Sequence, residues 1–302
     1  MNVYKLTVNQ WGEKPLDKEI FETETGRARP WYVNNESGPP SCFAVCPACD
    51  NPIQILGFYH QLKNTDRPYA RHYPNTISGL AVYRQEDYEF CPHAAARDCD
   101  PQARRHQGDP LSEKILDILV PNFDRVIYIL EAVLGFRISD KLAKELLIDY
   151  QGQAGHRYLK ATLQNIPWIF AYMTLAKSLM GRVITEEPLL AAIREKVPQA
   201  VIRPTTRGHQ VSWEGSQGYL ELTFCLMHHR ARQGTDGGLK ETMKMVVMHG
   251  RKDVYSKTIE FDREWFRALV QLPPEKAKRP RQATLVALAE RTIGHRNRCQ
   301  LD

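Results

Sequence analysis

The chain has 302 residues, of which 42% are hydrophobic and 25% charged, and its formal net charge is +6. That length is enough for about two domains, and that composition is ordinary for a globular protein, which excludes wholesale disorder. No apolar run reaches the ~18–20 residues of a membrane-spanning helix, and the first residues lack the apolar core of a signal peptide. We therefore expect a cytoplasmic protein with no membrane partner.

The excess positive charge lies in the last third of the chain. Residues 203–302 contain 18 Lys/Arg against 11 Asp/Glu, whereas residues 1–202 contain 23 against 24. Such an asymmetry is typical of proteins that bind a polyanion. A contribution to solubility alone explains it equally well, so both interpretations stay open.

The pattern of elements changes twice along the chain and predicts three domains. Residues 1–110 contain short strands and turns around a group of cysteines, and residues 111–198 contain four or five helices interrupted by prolines. Residues 199–302 alternate like an antiparallel meander and end in helices. The predicted fold class is α+β, with a zinc-ribbon-like N-terminal lobe, a central helical bundle and a C-terminal β-meander with a basic tail.

Several residues predict where individual elements begin and end. Gly135 follows an apolar helical pattern and should end it, while Ser139, Thr185 and Asp262 stand where helix N-caps are expected. Within the predicted strands, alternate residues share a face. Leu220, Leu222, Phe224 and Leu226 form one such set, and Met243, Met245 and Val247 form another.

The segment "SCFAVCPACDNP" (Ser41 to Pro52) contains three of the seven cysteines. Cys42, Cys46 and Cys49 have the C-x3-C-x2-C spacing with which radical-SAM enzymes hold an iron-sulfur cluster. The alternating strands and helices that such an enzyme needs after this motif are missing. A thioredoxin-like dithiol precedes a helix, whereas Asp-Asn-Pro after Cys49 predicts a turn. The zinc deaminase motif also needs an upstream histidine that this chain lacks.

The remaining interpretation is a structural zinc site. Zinc takes four sulfur or nitrogen ligands in a tetrahedron, and Cys46 and Cys49 supply two from one turn. The stretch "CPHAAARDC" supplies the second half, so the predicted ligands are Cys46, Cys49, Cys91 and Cys99. His93 and His72 are alternatives for the fourth position. Three cysteines together with a fourth Cys or His fill all four positions around the metal. Such a closed site favours a structural over a catalytic metal.

Basic residues near the C-terminus predict contacts with nucleic-acid phosphates. The candidates lie in a predicted hairpin tip, in the Pro-flanked stretch "KAKRPRQ" and in the last ten residues. They are Arg230, Arg232, Lys276, Lys278, Arg279, Arg281, Arg296 and Arg298. His228 and His229 flank the hairpin tip, and Arg97, Arg104 and Arg105 form a second basic patch beside the predicted zinc site.

The sequence favours a zinc-containing protein that binds nucleic acid, as a non-catalytic subunit of a nucleoprotein assembly with other protein subunits. Its overall character suggests a mobile-element or defence setting. An adaptor that binds proteins through its zinc lobe is the competing interpretation. A metal-dependent nuclease, suggested by Glu241 and Lys244, and a radical-SAM enzyme are the enzymatic alternatives. No hydrolase, P-loop or dinucleotide-binding motif is present.

Overall fold

The computed structural model describes residues 1–8, 10–63, 65, 67–94, 100–215, 220–233, 238–273, 276 and 281–294. It is a mixture of helix (34%) and strand (26%) with antiparallel sheets, which agrees with the predicted α+β class. Among the described residues, no helix combines the length and the apolar character that crossing a membrane requires.

The helices follow the chain in this order: α1 (Lys18–Thr25), α2 (Gln85–Glu89), α3 (Pro110–Leu119), α4 (Phe123–Leu134), α5 (Asp140–Gly152), α6 (Ile166–Tyr172), α7 (Glu187–Lys196), α8 (Arg263–Gln271) and α9 (Ala283–Gly294). Short 3-10 turns at Val120–Asn122 and Gly155–Arg157 accompany them. The strands are β1 (Val3–Tyr4), β2 (Lys14–Pro15), β3 (Tyr32–Val33), β4 (Ser41–Val45), β5 (Pro52–Leu56), β6 (Tyr69–His72), β7 (Lys177–Ser178), β8 (Val183–Ile184), β9 (Val201–Thr205), β10 (Gly208–Ser212), β11 (Leu222–Gln233), β12 (Leu239–His249) and β13 (Lys252–Glu260).

The chain divides into two compact units. The first consists of residues 1–115, 157–164 and 231–240, and the second of residues 116–156, 165–230 and 241–302. The division into three domains at residues 110 and 198 stays a prediction.

The first unit is built on a four-stranded antiparallel sheet in the order β3-β4-β5-β6. One face packs on α1, where Phe21 contacts Tyr4, Tyr32 and Phe58 at ring-centroid distances of 5.2–5.7 Å. Cys46, Cys49 and Cys91 belong to this same buried cluster. A second cluster, formed by Phe43, Val45, Leu80 and Ala81, fixes the loop that follows β6.

The second unit combines helices with the meander β13-β12-β11-β7. Several predicted helix boundaries are confirmed: Gly135 adopts φ +77° after α4, Ser139 Oγ accepts a hydrogen bond from Leu142 N, and Asp262 Oδ1 accepts one from Trp265 N. The prediction at Thr185 is wrong by one residue, because Glu186 is the N-cap of α7. Leu220, Leu222, Phe224 and Leu226 are all buried, as are Met243, Met245 and Val247.

Candidate metal centre

The C-x2-C motif forms the turn of a β-hairpin. Val45 at the end of β4 pairs with Pro52 at the start of β5, so residues 46–51 make the connection. Two backbone bonds close it: Cys46 N donates to Asn51 O (2.8 Å) and Asp50 N donates to Cys46 O (3.1 Å). Asp50 adopts φ +60°, a left-handed conformation that Asp tolerates better than most residues. The hairpin thus holds Cys46 and Cys49 side by side. We call residues 46–51 the knuckle.

Strand β6 brings His72 to the knuckle. In the β5–β6 pair, His72 lies opposite Ile53, two residues beyond the end of the knuckle. Its Nε2 lies 3.4 Å from Cys49 Sγ. The imidazole also packs edge-on against the Tyr88 ring at 5.2 Å, which limits its rotation.

Helix α2 positions the fourth side chain. Cys91 lies two residues after the last residue of the helix, and its backbone N donates to Tyr88 O at 3.1 Å. Its Sγ lies 3.6 Å from Cys46 Sγ. Cys46, Cys49, His72 and Cys91 therefore meet, with their ligand atoms all within 4.8 Å of one another, and they could hold a metal ion.

The dimensions of the cluster suit a tetrahedral metal. A Zn–S distance of about 2.3 Å in a tetrahedron places neighbouring ligand atoms about 3.8 Å apart. The Cys46–Cys91 and Cys49–His72 separations of 3.6 Å and 3.4 Å are close to that spacing. The three thiols are buried in an apolar cluster.

The surroundings shift the pKa values of Cys46 and Cys91 in opposite directions. Burial alone would raise the pKa of Cys46, but hydrogen bonds from the Cys49 and Cys91 thiols and from the backbone of Ala48 and Cys49 bring it well below its usual value. Burial and the neighbouring Cys46 and Cys49 raise the pKa of Cys91 well above its usual value. The thiolate is thus favoured at Cys46 and disfavoured at Cys91, and a divalent cation would stabilise both thiolates.

Asn51 connects the knuckle to the segment before α2 and was missed by sequence reasoning. Its Nδ2 donates to Cys49 Sγ (3.4 Å) and to Arg84 O (3.1 Å), while its Oδ1 accepts from Arg84 N (2.6 Å). The side chain is fully buried. Asn51 therefore both stabilises negative charge on Cys49 and fixes the segment that leads to Cys91. In the sequence, an Asn after a C-x2-C motif indicates only a turn. The role of its side chain in holding Arg84 becomes visible only in the structure.

A buried ion cluster supports the other side of the knuckle. The Asp50 carboxylate accepts from Lys5, whose side chain is 1% exposed, and from Lys114 Nζ at 2.5 Å. Lys114 Nζ also donates to Val8 O at 3.1 Å. The N-terminal strand and the start of α3 are thus joined to the residue that follows Cys49.

The predicted fourth ligands have different outcomes. His72, named as an alternative, lies in the cluster with Cys46, Cys49 and Cys91. Cys99 lies outside the described residues, so its predicted role stays a prediction. His93 is buried two residues after Cys91 but is not a member of the cluster. Cys42, the first cysteine of the radical-SAM spacing, is buried in β4 and is also not a member.

The predicted nucleic-acid residues fall into three groups. Arg230, Arg232 and Lys276 are exposed. The Arg281 guanidinium instead donates to both oxygens of the buried Asp124 carboxylate, at 2.7 Å and 2.9 Å, and to Pro121 O. This ion pair gives Arg281 a role in attaching the start of α9 to α4. Lys278, Arg279, Arg296 and Arg298 lie outside the described residues.

Two residues that the sequence grouped with basic surface patches are buried. Arg105 is 2% exposed and lies inside the first unit, so the patch predicted around it is wrong at this position. His229 is enclosed in the second unit, where its Nε2 lies 3.1 Å from Glu241 Oε1. Glu241, the acidic member of the suggested nuclease pair, therefore has its carboxylate in a buried contact with His229. Arg97 lies outside the described residues.

The chain was compared with known proteins in three ways. No family model, no curated protein and no solved structure matches it. The site must therefore be interpreted from its own chemistry.

Proposed function

We propose that this chain binds one structural zinc ion through Cys46, Cys49, His72 and Cys91, and that it is a non-catalytic nucleic-acid-binding protein. The observation that carries the proposal is the convergence of three thiols and one imidazole within 4.8 Å. Soft sulfur and nitrogen donors in a tetrahedron select zinc over magnesium or calcium, which prefer oxygen.

A structural role follows from the closure of the site. Four protein ligands leave no position for water or substrate, whereas catalytic zinc sites keep one open. The ligands come from the β4–β5 hairpin, from β6 and from the segment after α2. One ion would therefore link three separate parts of the first unit, and its binding energy would contribute to folding.

A change in the alternation of side chains along β11 supports the nucleic-acid half of the proposal. His228 adopts φ +58° within the strand. Leu222, Phe224 and Leu226 are buried before His228, and His229 is buried directly after it. Since neighbouring residues of a strand point to opposite faces, Arg230 is directed outward.

Lys244 shares that outer face. Its neighbours Met243 and Met245 are buried with Glu241 on the inner face, and Lys244 pairs with Thr258 of β13. An exposed antiparallel sheet with Arg and Lys side chains can contact phosphates without reading base sequence. Arg232 is also exposed, further along β11, and Lys276 before α9.

Salt dependence tests the nucleic-acid proposal. Binding of a fluorescently labelled oligonucleotide should weaken with salt, with a log–log slope that Arg230→Gln and Lys244→Gln each reduce by about 0.7–0.9. Lys144→Gln is the matched control, because Lys144 is an exposed lysine on α5. DNA and RNA, single- and double-stranded, are compared in the same assay.

The competing adaptor function gives a different result. An adaptor would show no retention on heparin or DNA at moderate salt, and the two sheet variants would behave like the control. In that case the nucleic-acid proposal is wrong, whereas the zinc proposal stands or falls with metal analysis.

A further inference from the structure

We propose that a cleft beside the knuckle binds a small organic carboxylate with an apolar body. The cleft has a volume of about 640 Å³ and lies within the first unit. This volume falls in the ~300–1,000 Å³ range of small-molecule sites. Its lining includes Val8, Asp50, Ile77, Val82, Arg84 and Lys114, and we call it the knuckle cleft. The inference does not depend on nucleic-acid binding.

One wall of the knuckle cleft is a preformed loop. Residues 76–82 fold back through paired backbone bonds, with Ile77 N donating to Ala81 O at 3.0 Å and Ala81 N donating to Ile77 O at 3.1 Å. Thr76 Oγ1 closes the loop by accepting from Tyr83 N at 3.0 Å. Leu80 and Ala81 anchor it in the cluster with Phe43 and Val45. A wall fixed in this way exists before a ligand arrives, so little ordering entropy opposes binding.

The knuckle cleft is also lined by cations with unused hydrogen-bonding capacity. Lys114 Nζ donates to Asp50 and to Val8 O, and an ammonium group has a third N–H. The Arg84 guanidinium has one described contact, to Asp87 at 3.5 Å, although it carries five N–H donors. The Asp50 carboxylate is already neutralised by Lys5 and Lys114. The charged groups that line the cleft therefore favour an anion.

The position of Arg84 is fixed from behind. Its backbone N and O are both hydrogen-bonded to the Asn51 side chain, at 2.6 Å and 3.1 Å. These two hydrogen bonds fix the backbone of Arg84. Its side chain is 37% exposed, so the guanidinium remains accessible to a ligand. A planar guanidinium on a rigid support suits a carboxylate, because the two groups form paired hydrogen bonds.

The remaining lining is apolar. Val82 is 60% exposed, the most exposed large hydrophobic side chain of the described residues, and it lies on the same cleft as Val8 and Ile77. A ligand that covers Val82 removes its apolar surface from water, and this burial favours binding. Cations and apolar side chains on the same cleft together favour an amphiphilic anion.

The test uses 1-naphthylacetate as the anionic probe and 1-naphthylacetamide as its uncharged counterpart. Isothermal titration calorimetry on the full chain should detect saturable binding of the acid, and binding of the amide weakened at least about tenfold, since a hydrogen bond to a charged group is lost. Arg84→Gln should reduce this preference for the acid. Val82→Asp should abolish binding of the acid, because it adds a negative charge and removes apolar contact.

Ile20→Asp is the matched control, because Ile20 is 46% exposed on α1 and does not line the cleft. It should bind the acid like the original chain. Metal content and circular dichroism of all variants establish that folding is intact. The inference is overturned if the acid does not bind up to about 1 mM, if acid and amide bind equally, or if Val82→Asp behaves like Ile20→Asp. None of these results affects oligonucleotide binding through Arg230 and Lys244, which is measured separately.

Discussion

His72 Nε2 lies 3.4 Å from Cys49 Sγ, although 23 residues separate them along the chain. The pairing of β5 with β6 produces this contact, since it places His72 opposite Ile53. The first prediction concerns this residue. His72→Ala should weaken metal binding strongly because it opens one of four positions, and His72→Cys should restore it by supplying a thiolate.

The measurement is competition for zinc with a coloured chelator. His60→Ala serves as the control, because His60 is an exposed histidine outside the cluster. Equal zinc affinity in His72→Ala and His60→Ala would remove His72 from the ligand set.

The second prediction concerns Asn51, which touches no metal in the proposed geometry but contacts both Cys49 and Arg84. Asn51→Ala should reduce metal affinity about 10–100-fold, as is typical when a residue that orients a ligand is lost. Stopped-flow transfer of zinc to a chelator measures the change as a faster release. Asn35→Ala, at an exposed asparagine, is the control. Unchanged release from Asn51→Ala would mean that the ligands keep their positions without it.

The third prediction concerns Arg105, which is almost fully enclosed by acceptors. Its guanidinium donates to Asp87 Oδ1 (3.0 Å) and to the carbonyl oxygens of Tyr158, Leu159 and Ala161 (2.7–3.1 Å). Lysine cannot reproduce this fork, so Arg105→Lys leaves some of these buried acceptors without donors. We expect a loss of about 3–5 kcal/mol in the free energy of unfolding.

Urea denaturation followed by tryptophan fluorescence measures that loss, with the exposed Arg207→Lys as the control. A loss below about 1 kcal/mol, which is the usual value of a surface ion pair, would contradict the role assigned to Arg105.

The fourth prediction is a pH dependence that originates at Glu241. Burial alone would raise the pKa of this carboxyl, but hydrogen bonds from His229 and Asn165 and the charge of His229 lower it below its ordinary value of 4.5. A carboxyl with a lowered pKa in the folded state stabilises the fold above the unfolded value, and this contribution disappears as the pH falls below it. Glu241→Gln should therefore be less stable than the original chain near neutral pH, and the difference should shrink as the pH falls below 4.5.

Denaturation midpoints across this range test the prediction. Glu195→Gln is the control, because Glu195 is exposed on α7. A stability difference for Glu241→Gln that does not change with pH would show that its charge is not involved.

Local patterns in the sequence predicted much of the fold. The helix ends at Gly135 and Ser139 and the meander strands follow from glycine, capping and alternation, which act within a few residues. The C-x2-C spacing likewise identified Cys46 and Cys49 as neighbours, because it is itself a local turn, while Cys91 was paired with them only through its repeated Cys-Pro sequence. The residues that needed only local chemistry were therefore identified from the sequence.

The residues whose positions the sequence did not predict are placed by contacts between segments that are distant in the chain. His72 could be placed beside Cys49 only from the β5–β6 register, which a connection of 12 residues (57–68) does not specify. Arg105 and Arg281 read as surface cations because their partners, at residues 158–161 and at Asp124, are distant in the chain. The inward position of His229 follows a change of alternation at His228, whose left-handed backbone conformation could not be predicted from the residues around it.

X-ray absorption at the zinc edge, combined with elemental analysis of the full chain, tests the central claim most directly. The account predicts one zinc ion per chain, bound by three sulfur atoms at about 2.3 Å and one nitrogen atom at about 2.0–2.1 Å. A zinc ion bound by four sulfur atoms would mean that another cysteine, and not His72, is the fourth ligand. A chain purified without tightly bound metal, or a zinc ion surrounded by oxygen and nitrogen alone, would contradict the proposed centre.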